Sequence, residues 1–471
     1  MSLSTWTDHV YGASPVFLQN LLISVYGLYA YKRRYGGRHS EYLQSLRESQ
    51  WYPKNRVEEL QFMNLSEVIR NAFETVPFYQ EIYRKHGVAP SSLRNFDDLR
   101  KLPIITKDDL RANPKLFVSD VQGSGRLIEI HTSGTTGSPL TIYLRSEALE
   151  KNYAFFTRSL EWAGVEPRQR SATFAGRVIM QAKQVEPPFW RKNWIMRNTL
   201  FSSYHISERN LPAYVDELKK IQPIFIDSYP SAIFSIGKFF LDRSIDVGIA
   251  PKAIITSSET LFDNQREVIE KAFHSRVFDQ YGSAEMVGFI NQCEKGSYHV
   301  NPEYGIVEII KNDGEPAKDG EPGELVCTGF VNSAMPLIRY KTGDSAIACE
   351  HICSCGRAYP VVKSILGRTD DFIVTRDGRF IGRLDPIFKG LSSGIKEAQI
   401  IQEDYDRIVV KIVVNKDFCS YDESLLAEEL KRRIGPTISV SIIQVGEIPR
   451  SSAGKFRSVV SHVRNNVGAG V

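Results

Sequence analysis

Five short segments carry residue types suited to phosphate chemistry. They occur in the order Thr132-Ser133-Gly134-Thr135-Thr136-Gly137, Tyr281-Gly282-Ser283-Ala284-Glu285, Thr342-Gly343-Asp344, Gly367-Arg368-Thr369-Asp370-Asp371 and Ile448-Pro449-Arg450-Ser451-Ser452-Ala453-Gly454-Lys455. In the first, Gly134 and Gly137 let backbone N–H groups approach phosphate oxygens, and Ser133, Thr135 and Thr136 add hydroxyl donors. It is not a Walker loop, because Ser138, Pro139 and Leu140 stand where Gly-Lys-Ser/Thr would follow. Glu285 offers a hard oxygen donor of the kind Mg²⁺ takes beside substrate phosphates. Asp344, read as lying in a tight turn with Gly343, has the two acceptor oxygens that a ribose diol needs. Arg368 carries a permanent positive charge for a ribose or phosphate. Lys455, set among small residues, can deliver a point charge to a developing anion. Alone, each segment is also an ordinary turn, a solvated Glu, a self-capping Asp or a surface Lys. Together and in order, they describe a reaction between a carboxylate and ATP.

Cys353-x-Cys355 is a chelating pair. Cys293 and His299 supply a third and fourth ligand for tetrahedral zinc; Cys349 and His351 are local alternatives, and reduced buried thiols are the reading without metal.

These groups need a large scaffold. At 471 residues, with 42% hydrophobic and 24% charged residues, the chain has the composition of a globular protein of two or more domains. A formal net charge of +4 is too small to call for nucleic acid. Six cysteines in this length do not make a disulfide scaffold and fit a reducing, cytoplasmic setting. Met1 to His9 lacks the basic start of a secretory signal. Val16 to Tyr31 is apolar and aromatic and is followed by Lys32-Arg33-Arg34, but it is too short and too polar to span a bilayer. It reads as a packed helix, with peripheral membrane contact as the alternative.

Residues 1 to about 120 read as largely helical, with Leu65, Val68, Ile69 and Ala72 on one stripe and Pro77 as a breaker. An alternating α/β pattern follows. Leu127 to His131 is a strand feeding the glycine-rich loop. Ser146 is the expected N-cap of a helix whose stripe is Leu149, Tyr153, Phe156 and Leu160, closed by Gly164. Further strands are expected at Ile224 to Ser228, Ala253 to Thr256, Arg276 to Gln280, Gly305 to Ile310 and Glu324 to Thr328, with Lys311 to Gly323 as a hairpin loop and turn. The expected fold is α/β: a large N-terminal domain of several subdomains over residues 1–369, and a small mobile α+β C-terminal domain over 370–471. The latter holds a hairpin at Ile400 to Asn415, a helix with Leu426, Leu430 and Ile434, and a strand at Ile438 to Val445.

The order of these motifs resembles the adenylate-forming superfamily of acyl-CoA synthetases, nonribosomal-peptide adenylation domains and luciferases, over about residues 60 to 460. Val76-Pro77-Phe78-Tyr79, Leu102-Pro103-Ile104-Ile105-Thr106-Lys107 and Cys353-Ser354-Cys355-Gly356-Arg357 resemble its phenylacetate–coenzyme A ligase branch, including capsule-biosynthesis relatives. The resemblance implies that Thr132 to Gly137 hold the ATP phosphates and that Glu285 binds Mg²⁺. It implies that Asp344 and Arg368 contact the nucleotide, that Ser257-Ser258-Glu259 with Tyr281 and Gly282 line its pocket, that Asp370 is a hinge, and that Lys455 serves adenylation. It also implies the grouping of Cys293, His299, Cys353 and Cys355 around structural zinc. Leu140 departs from the lysine found there in many members. The implied reaction activates a small carboxylic acid as acyl-AMP, releases pyrophosphate and passes the acyl group to coenzyme A; an amine or a hydroxyl, such as that of a sugar, is the alternative acceptor. Tyr204, Tyr229 and Met286 are candidates for the acid pocket.

Overall fold

The structure is a computed structural model. It describes residues 11–87, 89, 92–121, 126–131, 140–181, 184–207, 209–245, 248–311, 313–367, 373–376, 380–381, 384, 387, 394–414, 416–448 and 459–463.

Four helices lead the chain: α1 (Val16–Tyr35), α2 (His39–Ser49), α3 (Lys54–Thr75) and α4 (Pro77–His86). The α3 stripe buries Leu65, Val68, Ile69 and Ala72, as their spacing predicts. Pro77 separates α3 from α4 by starting the second: it sits in the first turn of α4, where its missing N–H would have had no partner anyway. A short helix, α5 (Lys107–Ala112), begins at a reciprocal cap between Thr106 and Asp109.

Two short antiparallel strands, β1 (Ile128–His131) and β2 (Thr141–Leu144), pair so that His131 faces Thr141. The ends of the hydroxyl-rich segment between them are therefore held side by side. Helix α6 (Ser146–Trp162) follows. Arg145, not Ser146, occupies the cap position, with no side-chain cap bond. The buried face of α6 is also rotated from the expected stripe. It buries Ala148, Asn152, Phe155, Arg158, Ser159 and Trp162, while Leu149, Tyr153, Phe156 and Leu160 are only partly covered. The reason is a buried polar cluster, described below, that apolar periodicity cannot report.

The main sheet is built from β3 (Ser171–Ala175), β4 (Trp190–Asn193), β5 (Asn198–Ser202), β6 (Phe225–Ser228), β7 (Ala253–Ser257), β8 (Val277–Gly282), β9 (Phe289–Gln292), β10 (Tyr298–Val300), β11 (Gly305–Ile310), β12 (Pro322–Gly329), β13 (Tyr340–Cys349) and β14 (Val361–Gly367). Their order is β11-β12-β13-β14-β10-β9-β8-β7-β6-β3-β5-β4. The segment from β8 through β5 is parallel, and helices α7 (Leu211–Ile221), α8 (Pro230–Asp242) and α9 (Asp263–Phe273) lie between its strands in sequence. Strands such as β7, Ala-Ile-Ile-Thr-Ser, are buried at four of five positions because helices cover the sheet. From β8 to β14 the sheet becomes antiparallel.

The antiparallel half curls over the parallel half. A Cβ on Gly329 would meet Val287 Cα at 2.9 Å, and one on Gly305 would meet the Val287 carbonyl at 2.6 Å. Only glycine lets β11 and β12 pass that close to the chain after β8.

A second, four-stranded sheet follows, ordered β19-β18-β17-β20. After the short pair β15 (Ile373–Val374) and β16 (Phe380–Ile381), it comprises β17 (Ile395–Gln402), β18 (Arg407–Val414), β19 (Ser439–Gln444) and β20 (Val459–Ser461). The predicted hairpin is β17–β18, with its first strand starting earlier than expected, at Ile395. Helix α10 (Ser420–Ile434) joins two parallel strands and buries Leu426, Leu430 and Ile434 against Ile400, Ile408, Val410 and Ile412. The core of this unit is made of its own residues together with Tyr204 of the N-terminal domain. Among the described residues, no helix is long and apolar enough to cross a membrane.

Candidate functional site

The carboxyl ends of β8, β7, β6, β3 and β5 converge, and ligands of parallel sheets bind outside such ends. The β8 end supplies Tyr281 and, in the turn after it, Glu285. Tyr281 is half-buried, and its hydroxyl donates to Asp344 Oδ2 at 2.8 Å. Burial first, and the Asp344 charge second, push the Tyr281 phenol well above its ordinary range, so it remains a donor. The buried Tyr340 hydroxyl donates to Glu285 Oε1 at 3.1 Å. Both partners, Tyr340 and Asp344, lie on β13. In a flat sheet, four strand spacings would part β13 from β8 by ~19 Å. The curl closes that gap and sets two carboxylates beside one turn.

Asp344 does not lie in a tight turn between elements, as the Gly343-Asp344 pair suggested. It lies inside β13, on a bulge. Glu324 pairs with Ser345 and Val326 with Lys341, so the three residues 342–344 oppose one residue of β12. Gly343 takes the left-handed conformation there (φ +78°). Thr342 pins the bulge: its hydroxyl donates to the Leu325 carbonyl at 3.1 Å and accepts the Asp344 N–H at 3.1 Å.

Glu285 is buried, and its second oxygen has no protein hydrogen bond among the described residues. One carboxylate oxygen plus substrate phosphates is the usual donor set for Mg²⁺, so the residue fits the ion. Ser283 Oγ, in the same turn, is buried without a partner among the described residues. Asp279, deeper in β8, is anchored by Thr256 Oγ1 at 2.6 Å and by the Tyr298 hydroxyl at 2.9 Å. Burial pushes it up to about 6 against those bonds.

The β7 end supplies Ser257-Ser258-Glu259. Ser258 has φ +73°, and Glu259 accepts the Ser231 N–H at the start of α8 at 3.0 Å. Glu259 lines a cleft with Tyr204, Tyr229 and Ser231, and Ile381 of the C-terminal unit closes one side. The Tyr204 hydroxyl donates to the Gly176 carbonyl at 2.8 Å. A Cβ on Gly176 would meet the Tyr229 hydroxyl at 2.8 Å. Tyr204 and Tyr229 thus share this cleft; Met286 does not line it and packs instead with Phe155, Phe289 and Tyr304. Thr132 to Gly137, Arg368, Asp370 and Lys455 lie outside the described residues.

A second cluster sits apart from the cleft. The ligand atoms of Cys293, His299, Cys353 and Cys355 all lie within 4.8 Å of one another, and all four residues are buried. Cys293 Sγ is 3.7 Å from Cys353 Sγ, and Cys355 Sγ is 3.4 Å from His299 Nε2. Zn–S bonds of ~2.3 Å at tetrahedral angles give S···S separations of ~3.8 Å and S···N of ~3.6 Å. The donor set and its edges therefore fit zinc. His299 Nδ1 faces the Tyr359 carbonyl at 3.3 Å, which leaves Nε2 with its lone pair toward the sulfurs. Burial lowers the His299 ring to about 4, so it is neutral at pH 7. Cys349 and His351 are not in the cluster.

Beside it lies the network that turned α6. Arg158, almost fully buried, donates to Glu303 Oε1 at 2.9 Å, the Tyr359 hydroxyl at 3.0 Å and the Leu46 carbonyl at 3.0 Å. Burial disfavours the Glu303 charge, but Arg158 holds its carboxyl below the usual range. Hydrophobic spacing gives no hint of this pair. Arg158→Ala should destabilise the protein by about 3–5 kcal/mol by leaving Glu303 buried and unpaired. Chemical denaturation would show it as a lowered midpoint.

Known proteins place the chain. A family model described as the CapK C-terminal domain matches residues 373–462. Protein CapK of Staphylococcus aureus is 30% identical over 461 residues, 97% of this chain and 100% of that protein. A phenylacetate-coenzyme A ligase of Thermus thermophilus is 24% identical over 453 residues, 88% of this chain and 98% of the relative. Among solved structures, a 2-hydroxyisobutyryl-CoA ligase in complex with 2-HIB-AMP and CoA superposes with TM-score 0.57 at 20% identity, covering 88% of this chain and 91% of that one. The same ligase in its postadenylation state gives 0.56 at 19% identity, with the same coverage of both chains. The chain belongs to the adenylate-forming superfamily, in the branch that holds Protein CapK and the phenylacetate–coenzyme A ligases.

Proposed function

We propose that this protein is an AMP-forming ligase that activates a carboxylic acid as acyl-AMP, releases pyrophosphate and passes the acyl group to coenzyme A. The observation that carries the reading is the pairing of the β8 turn with the β13 bulge, which holds Glu285 and Asp344 at the carboxyl end of a parallel sheet. Asp344 takes the ribose hydroxyls, with Tyr281 fixing its orientation. Glu285 would hold Mg²⁺, which supplies charge neutralisation for the triphosphate when bound. Ser257 to Glu259 border the adenine, and Thr132 to Gly137, between β1 and β2 in sequence, cradle the phosphates. The acid lies in the cleft of Tyr204 and Tyr229.

Attack of a carboxylate on the α-phosphorus brings two anions together. The barrier is therefore largely electrostatic, and Lys455 lowers it by meeting charge as it moves to the leaving pyrophosphate. No protein nucleophile is needed. The C-terminal unit, residues 370–471, turns about Asp370 between the two half-reactions; apart from Tyr204, its core is made of its own residues, which supports movement as one body. Cys293, His299, Cys353 and Cys355 hold a structural zinc. Use of ATP and coenzyme A supports a cytoplasmic setting.

AMP release tests the acceptor. With a good acid, AMP should form faster on adding coenzyme A; AMP released only with an amine or a sugar would replace the coenzyme A reading. Asp344→Ala should raise the KM for ATP by about 10–100-fold, the loss of hydrogen bonds to a charged group. The KM for the acid should change little.

A further inference from the structure

We propose that α1 is a membrane-docking helix that lays its outer face on an anionic lipid surface. The helix is inside out. Its polar and small residues, Gln19, Asn20, Ser24 and Gly27, face the protein, and its large apolar residues face solvent. An ordinary surface helix does the reverse.

The cause lies in β4, the edge strand of the main sheet. An edge strand exposes backbone groups that must be satisfied or covered. Asn20 Oδ1 accepts the Lys192 N–H at 2.9 Å, and Ser24 Oγ accepts the Trp194 N–H at 3.0 Å. Arg191 donates from Nε to Gln19. At Gly27 the helix comes so close that a Cβ would overlap the Asn193 side chain. The polar stripe is consumed in capping this edge, so the apolar stripe is left outside.

That stripe is continuous. Phe17, Leu18, Leu21, Leu22, Val25, Tyr26, Leu28 and Tyr29 are all exposed, Phe17 at 69% and Val25 at 59%. Trp194 extends it, 5.6 Å from the Phe17 ring. So large an exposed apolar patch marks an interaction surface.

Charge identifies the occupant. The twenty residues of α1 contain no Asp or Glu and carry Lys32, Arg33 and Arg34 in the last turn. Lys32 is exposed and follows Leu21, Val25 and Leu28 along the same face. A flat helix with Leu, Val and Phe toward the acyl chains, Tyr and Trp at headgroup level and cations beside them matches an anionic bilayer surface. A protein groove would not require the cationic end. Asn20, Ser24 and Gly27 hold the helix against β4, and it is not apolar enough to cross a membrane, so it docks without crossing.

Sedimentation of the full-length protein with vesicles tests this. Vesicles of phosphatidylcholine mixed with phosphatidylglycerol should carry the protein down, and pure phosphatidylcholine should carry much less. The double variant L21E/V25E should lose at least about tenfold in partition while unfolding at the wild-type temperature. Should that variant fail to fold, Lys32→Gln should still lower partition roughly fivefold, and added salt should erase the difference. Wild-type protein left in the supernatant with both vesicles overturns the proposal. So does wild-type partition in L21E/V25E, or light scattering that shows the face joining two copies with no vesicle bound.

Discussion

Lys455→Ala should cut the rate of pyrophosphate release by about 10²–10³-fold, the cost of removing one positioned group that meets transition-state charge. The KM for the acid should stay close to that of the wild type, because the lysine is proposed to act on charge that develops only in the transition state. A preformed acyl-AMP should still be converted to acyl-CoA by the variant at a near-normal rate, since the second half-reaction is proposed to run with the C-terminal unit turned away. Lys455→Arg should recover little, because a planar guanidinium does not replace a compact ammonium. Normal adenylation by Lys455→Ala in a single-turnover assay would remove the lysine from the mechanism.

The second large effect is expected at the cysteine cluster. Purified protein should contain one zinc per chain by elemental analysis. Cys353→Ser combined with Cys355→Ser should abolish it and unfold or aggregate much of the chain. Zinc bound by such a set contributes about 10–16 kcal/mol in small domains, comparable to the ~5–15 kcal/mol net stability of a folded domain. The damage should reach the nucleotide site. Cys293 lies between β9 and β10 and His299 within β10, where it pairs with Val361 of β14, which pairs in turn with β13 and its Asp344 bulge. A protein with no zinc, and a double-serine variant melting with the wild type, would reduce the cluster to four buried thiols and a ring.

Much of the fold was legible where burial is uniform. Ala253 to Thr256 and Gly305 to Ile310 read as strands because their apolar runs end at turn residues, and they are β7 and β11. The helix of Leu426, Leu430 and Ile434 was equally plain. Legibility failed where polar groups are buried. Strand β13 holds Lys341, Thr342, Gly343 and Asp344 in sequence, which mimics a turn. Helix α6 turned toward Arg158 because that guanidinium finds Glu303, a residue 145 positions away. In α1 the stripe faced outward because an edge strand needed hydrogen bonds more than the core needed leucines. The site shows the same division. Glu285 and Asp344 stand out by residue type, but Tyr340 does not, and its bond to Glu285 depends on a sheet curl that no local spacing encodes. Likewise, Cys353-x-Cys355 is visible as a pair, whereas its meeting with His299 depends on the β10–β14 register.

Acid activation by ATP is the defining step of the proposed reaction, and isotope exchange reads that step alone. The protein would be mixed with ATP, Mg²⁺, labelled pyrophosphate and a panel of carboxylic acids, with no coenzyme A. Label should enter ATP with at least one acid, exchange should be absent when acid is omitted, and Glu285→Gln should lose it. Exchange absent with every acid, together with no heat on titrating ATP into the protein, would contradict acid activation by ATP.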